Sequence, residues 1–213
     1  MTPQQASAAA YDICKLAPIV PVLVVHDVAH ARPLAEALVA GGLPALEVTL
    51  RTDCALDVIA QMAKVEGGVV GAGTLLTPDD VKRAVDAGAK FGVSPGATDK
   101  LLQAAEDLGL PMLPGAATAS EAMRLLERGY DMLKFFPAEA SGGAPALKSL
   151  ASPLPQIRFC PTGGVSPANA ESYLSLPNVV CAGGSWVAPD ALVRQGDWAA
   201  ITELARAASK LGR

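Results

Sequence analysis

Aromatic side chains make up only 4% of this 213-residue chain and charged ones only 18%. So few rings leave little on which exposed bases could stack. The 17 lysines and arginines against 21 acidic residues give a net charge of -4 with no basic stripe, so a nucleic-acid partner lacks its electrostatic footprint. No apolar run approaches the length of a bilayer crossing, and Met1 to Ala10 is polar and alanine-rich, without a basic start or an apolar stretch. Neither a membrane partner nor a secretory leader is expected, and the location is read as cytoplasmic. Cys14, Cys54, Cys160 and Cys181 show no C-x-x-C spacing, and are read as small buried hydrophobes rather than disulfide or metal ligands. His26 and His30 are the two histidines, with no third ligand at metal spacing, so no metal and no cofactor is expected. With no Ser/Gly-rich linker, charge block or low-complexity tract, a single domain over residues 1–213 is expected.

Hydrophobic residues make up 51% of the chain, enough for a large core. Runs rich in Val, Ile and Leu recur roughly every 20 to 26 residues, each followed by helical periodicity. Eight strands are read: Ile19 to Val25, Ala45 to Leu50, Val69 to Thr74, Lys90 to Ser94, Pro111 to Pro114, Met132 to Phe136, Ile157 to Pro161 and Val179 to Ala182. Helical stretches between them include Arg32 to Ala40, Ala55 to Ala63, Pro78 to Ala87, Asp99 to Leu108 and Ser120 to Arg128. Thr77-Pro78 supplies a capping hydroxyl before a proline, and Gly88, Gly109 and Gly129 close helices. The pattern favours an α/β fold, a (β/α)8 TIM barrel with an additional N-terminal helix at about residues 4–16 covering its bottom. A last helix should run from Trp198 to Lys210, capped by Asp197.

Within that pattern Lys134 interrupts the apolar run Met132-Leu133-Lys134-Phe135-Phe136-Pro137. Desolvating its ammonium costs several kcal/mol unless something compensates. Burial also favours the neutral amine that Schiff-base chemistry requires. Strand alternation puts Leu46, Val48 and Leu50 toward the helices and Glu47, Thr49 and Arg51 inside the barrel. Glu47 is then available to Lys134, either as a register-fixing ion pair or as a proton shuttle beside an amine nucleophile. Arg51 ends its strand where barrel enzymes keep their active sites, and its planar fork suits a substrate carboxylate. Thr74 and Pro95, ending the third and fourth strands, could shape the same mouth or be ordinary turn residues.

Two glycine-rich segments follow the last two strands, Pro161-Thr162-Gly163-Gly164-Val165-Ser166-Pro167 and Gly183-Gly184-Ser185. Barrels often bind phosphate there, through backbone N–H groups that glycine leaves accessible. The pairing predicts a phosphorylated ligand, with glycines that simply tighten the turns as the lesser alternative.

Six segments together, Leu46 to Thr52, Val70 to Thr74, Val93 to Gly96, Leu133 to Glu139, Phe159 to Gly164 and Gly183 to Trp186, resemble the 2-keto-3-deoxy-6-phosphogluconate (KDPG) aldolases over nearly the whole chain. The resemblance implies a metal-independent class I aldolase of the Entner-Doudoroff pathway, a homotrimeric barrel that needs no cofactor. It would cleave a phosphorylated 2-keto-3-deoxy sugar acid to pyruvate and glyceraldehyde 3-phosphate. Lys134 would form the Schiff base, Glu47 would move protons, and Arg51, Thr74, Pro95 and Phe136 would hold the substrate. Thr162, Gly163, Gly164, Gly184 and Ser185 would hold the phosphate. One departure is Pro18, where some members carry an arginine, so nothing that arginine does for selectivity carries over.

Within the same family, 4-hydroxy-2-oxoglutarate cleavage, oxaloacetate decarboxylation and action on the galactonate epimer are alternatives. From other classes, a non-covalent sugar-phosphate isomerase and a non-catalytic phosphate-ligand binder compete.

Overall fold

The computed structural model describes residues 1–212, a parallel α/β fold in which strands and helices alternate. One curled sheet of six strands has the order β5-β4-β3-β2-β1-β9 and a second of three has the order β6-β7-β8. Their ranges are β1 (Ile19–Leu23), β2 (Ala45–Thr49), β3 (Val69–Gly73), β4 (Phe91–Val93), β5 (Met112–Leu113), β6 (Gly115–Ala116), β7 (Met132–Phe135), β8 (Arg158–Pro161) and β9 (Ala182–Gly184). Every ladder is parallel, as short strand-helix units demand. Two isolated bridges, Phe159 with Val179 and Thr162 with Gly183, join the chain at β8 to that at β9.

Before the first strand comes α1 (Pro3–Cys14), followed along the chain by α2 (Ala31–Ala40), α3 (Ala55–Met62), α4 (Pro78–Asp86), α5 (Asp99–Leu108) and α6 (Ala119–Arg128). The rest are α7 (Gly143–Ala151), α8 (Ala170–Leu174), α9 (Asp190–Gln195) and α10 (Trp198–Ala208). Among the described residues no helix is long and apolar enough to cross a membrane. The expected caps are present. Thr77 accepts from Asp80 N–H at 3.2 Å, Asp197 accepts from Ala200 N–H at 3.0 Å, and Gly109 and Gly129 end α5 and α6 in left-handed conformation.

Two of the expected strands differ from those observed. The fifth, read as Pro111 to Pro114, is split into β5 and β6 around Pro114, whose ring leaves no N–H for the ladder. Its carbonyl still accepts from Lys134 N–H at 2.9 Å. The eighth, read as Val179 to Ala182, pairs instead through Ala182, Gly183 and Gly184 with Ile19, Val20 and Pro21. Residues with branched side chains suggested the strand, but the glycines allow the close approach that forms it.

Packing divides into two clusters. The larger contains Leu46, Val48, Leu133 and Phe135 together with helix residues such as Leu34, Ile59 and Leu102. The smaller contains Val20, Ala45, Phe91, Val93, Leu113, Met132 and Cys160 with Cys14 of α1. Alternation therefore sorts the strand side chains into helix-facing and inward-facing sets. Helix α1 closes the inward set from below, and Ser7 fastens it to the lysine strand. Its hydroxyl donates to Asp131 at 2.7 Å and accepts from the N–H groups of Asp131 and Met132 at 3.0 and 2.9 Å. Because Ser7 is buried, its loss leaves two backbone donors unsatisfied. Ser7→Ala should lower unfolding free energy by about 1–3 kcal/mol, measured as a shift of the urea midpoint at constant m-value.

Candidate active site

Lys134 and Glu47 meet inside the curled sheets although their strands are not neighbours. Lys134 lies on β7, paired in register with Gly115 and Cys160, while Glu47 lies on β2 between Val22 and Gly71. The lysine Nζ donates to Glu47 Oε1 at 3.2 Å, and the two residues are only 5% and 3% exposed. An ion pair this deep is a weak stabiliser, because desolvating both charges offsets most of their attraction. The Phe136 ring lies 5.2 Å from the ammonium, giving the cation a polarisable face.

Room for the carboxylate comes from Gly73. A Cβ at that position would stand 2.3 Å from Glu47 Oε1, so any side chain there would push the carboxylate away from the lysine. Gly115 does the same for the fourth strand's end: a Cβ there would lie 2.2 Å from the Pro95 carbonyl oxygen. Neither role is visible in composition or periodicity, since each glycine reads as strand weakening or a turn.

Arg51 sits exposed just beyond β2, with Nε donating to Thr49 Oγ1 at 3.1 Å, while Thr49 donates onward to the Leu23 carbonyl at 2.9 Å. The fork is thereby aimed by the strand below it. Thr74 follows β3 at φ 62°, a left-handed conformation that branched residues rarely adopt. The flanking bonds Leu50 N–H to Gly73 O at 2.8 Å and Leu75 N–H to Val93 O at 3.1 Å fix that bend. Thr74, Pro95 and Phe136 are half-buried, and His26 shares a surface cavity with Arg51, Thr52, Asp53 and Cys54.

The two glycine segments also meet. Thr162 is buried and bridges to Gly183, where an added Cβ would lie 2.3 Å from Thr162 Oγ1. The Trp186 ring covers Gly184, leaving 2.0 Å for a Cβ, and Ser185 beside it is exposed. Gly163 and Gly164 have φ of 99° and 82°, conformations that any other residue would adopt under strain. Below Lys134, the buried thiols of Cys14, Cys160 and Cys181 are free. Hydrogen bonding from Cys14, then from Cys181, and the Lys134 charge hold the Cys160 thiol below the ordinary range against the effect of burial.

A buried amine beside a carboxylate on parallel strands, with an arginine following one strand and glycine turns following others, is the arrangement of an α/β enzyme of the lysine-nucleophile class. A sequence model of the KDPG and KHG aldolases matches residues 11–204. The 2-dehydro-3-deoxy-phosphogluconate aldolase of Pseudoalteromonas atlantica is 54% identical over 198 residues, 92% of each chain. The crystal structure of the Zymomonas mobilis ZM4 2-keto-3-deoxy-6-phosphogluconate aldolase with 3-phosphoglycerate is 52% identical, with a TM-score of 0.89 over 94% of each chain. That of the Legionella pneumophila KDPG aldolase, with pyruvate captured as a covalent carbinolamine, is 45% identical with a TM-score of 0.91, covering 94% of this chain and 98% of that one. The chain belongs to the KDPG and KHG aldolase family.

Because Gly73 sets where the Glu47 carboxylate stands, Gly73→Ala should cost about a hundredfold in turnover. Circular dichroism of the variant should stay that of a folded protein, and wild-type turnover would reject the steric role of Gly73.

Proposed function

We propose that this protein is a class I aldolase cleaving 2-keto-3-deoxy-6-phosphogluconate to pyruvate and glyceraldehyde 3-phosphate. The observation that carries the reading is the buried Lys134–Glu47 contact at 3.2 Å. Ion pair and nucleophile are the same arrangement: passing one proton along that hydrogen bond leaves a neutral amine beside a neutral carboxylic acid. The amine attacks C2 of the keto acid, water leaves, and the protonated imine draws electrons from the C3–C4 bond. Glu47, as carboxylate, takes the C4 hydroxyl proton directly or through a water as that bond breaks. Glyceraldehyde 3-phosphate departs, and the enamine, protonated at C3 and hydrolysed, gives pyruvate and restores the amine.

Each remaining residue has a chemically distinct part. Arg51 pairs with the C1 carboxylate, which adjoins C2, so the guanidinium must stand near the lysine; Thr74 and Pro95 shape that side. Phe136 packs by the imine. Thr162, Gly163, Gly164, Gly184 and Ser185 receive the phosphate, where backbone N–H groups and a hydroxyl are the available donors. The 4-hydroxy-2-oxoglutarate reading rests on the family description, which names both substrates, and uses the same lysine.

The same proposal includes a closed (β/α)8 barrel in one domain. Two observations support closure: the bridges between β8 and β9, and contact between side chains of β2 and β7, which an open flat sheet would hold apart. Free buried thiols are compatible with a reducing, cytoplasmic location. The homotrimer rests on the resemblance to the family and is tested by native mass spectrometry.

Incubating the enzyme with pyruvate and borohydride should leave one reduced adduct on Lys134, located by peptide mass spectrometry. Lys134→Ala should abolish pyruvate release from the phosphorylated acid while keeping the fold. An unmodified intact mass with full activity would reject the imine.

A further inference from the structure

The turn Thr162-Gly163-Gly164 has all three of its carbonyls occupied by protein donors. Thr162 O accepts from Ala138 N–H at 2.8 Å and Gly163 O from Glu139 N–H at 3.1 Å. Gly164 O accepts from the Asn169 side-chain Nδ2 at 3.1 Å. In a trans peptide the N–H of the following residue points opposite to the carbonyl. Holding these three carbonyls therefore fixes the directions of the N–H groups of Gly163, Gly164 and Val165, each pointing away from the partner of its own peptide's carbonyl. None of those three N–H groups donates to a protein acceptor among the described residues.

Two side chains keep that arrangement in place. Asn169 is fixed from both ends, its Oδ1 accepting from Ser166 N–H at 2.7 Å while its Nδ2 donates to the turn. Glu139 lies flat against the turn, its Cγ 2.5 Å from where a Cβ on Gly164 would be. Its carboxylate accepts a hydrogen bond from the hydroxyl of Tyr173, which is fully buried. Burial, then the hydrogen bond and the charge of Glu139, push the Tyr173 hydroxyl above the ordinary phenol range, so it remains a donor. The Glu139 carboxylate is thereby tethered to Tyr173.

We propose that Asn169 and Tyr173, the latter acting through Glu139, are positioning residues that set the Gly163–Gly164 turn with the N–H groups of Gly163, Gly164 and Val165 aimed at a phosphate. Neither side chain touches the ligand. The inference deepens the phosphate-site reading above and adds Val165 N–H as a donor with no side-chain signal in the sequence. Without Asn169 the Gly164 peptide is free to rotate. Without the Tyr173 hydroxyl the Glu139 carboxylate can swing toward the anion and repel it.

The test uses the full-length enzyme, with Asn169→Ala and Tyr173→Phe as separate variants. The first change lies at a half-buried loop position and the second preserves the ring, so at least one variant should remain folded by circular dichroism. Inorganic phosphate is titrated by calorimetry, a readout that does not depend on turnover. Each variant should bind phosphate about tenfold more weakly or worse, the loss expected for a hydrogen bond that orders charged recognition. The ratio of kcat/KM for the phosphorylated acid to that for 4-hydroxy-2-oxoglutarate should fall by a similar factor, mainly through KM. A folded variant with wild-type phosphate affinity overturns the proposal, as does equal loss on both substrates. Absence of phosphate binding in the wild type also overturns it. Failure of borohydride trapping would instead strike the aldolase reading, and the phosphate titration would still judge the turn.

Discussion

Two opposite charges inside an apolar interior must face each other, and the Lys134–Glu47 pair makes that constraint concrete. Each side chain is nearly inaccessible, so either one alone would be an uncompensated buried charge of the kind that costs several kcal/mol. Because β2 and β7 belong to different sheets, the pair can form only if both sheets curl their inner faces together. The consequences spread outward: Gly73 gives up a side chain to seat the carboxylate, and α1 closes the inward cluster beneath the pair. Folding and chemistry thus ask the same thing of this contact. The fold needs the charges paired, and the reaction needs a proton able to move between them.

A substrate with a carboxylate at one end and a phosphate at the other must be held by a chain that is itself net negative. The structure separates the two tasks. A single guanidinium, aimed by Thr49, stands at the end of β2, whereas the paired glycine turns stand after β8 and at β9. Since β9 pairs with β1 and β1 with β2, the two anion sites lie on one stretch of rim.

Much of this was legible in the residues because alternation in a strand is a steric rule. Leu46 and Val48 against Glu47 and Thr49, or Leu133 and Phe135 against Met132 and Lys134, sort by face wherever the strand runs. Close approach was less legible. A glycine looks the same in sequence whether it makes room for a carboxylate, as Gly73 does, for a carbonyl, as Gly115 does, or for a ring, as Gly184 does. What distinguishes them is the distant atom that fills the space. The strand ends suffered for the same reason: Gly183 and Gly184 carry the ladder of β9 without any branched side chain to announce it. The short helices α8 and α9, of five and six residues, have too few turns to establish a period. Asn169 and Tyr173 lie just before and within α8.

The division between side-chain and backbone recognition also bears on which substrate the site favours. An exposed lysine or arginine attracts any anion and flexes to meet it, so a cationic phosphate site would discriminate little between phosphate and carboxylate. Backbone N–H groups locked in a turn have fixed directions and suit a tetrahedral group offering several oxygens at once. A planar carboxylate attached at C4, as in 4-hydroxy-2-oxoglutarate, is both shorter in reach and poorer in acceptor directions. It gains only what Arg51 and the imine supply, which are common to both substrates. The phosphorylated acid gains the turn in addition, and because that contact lies far from the breaking bond, its binding energy is available to orient the C4 hydroxyl toward Glu47. On the proposed roles, preference for the longer substrate would follow from how the three peptide planes are held, more than from any charge the site displays.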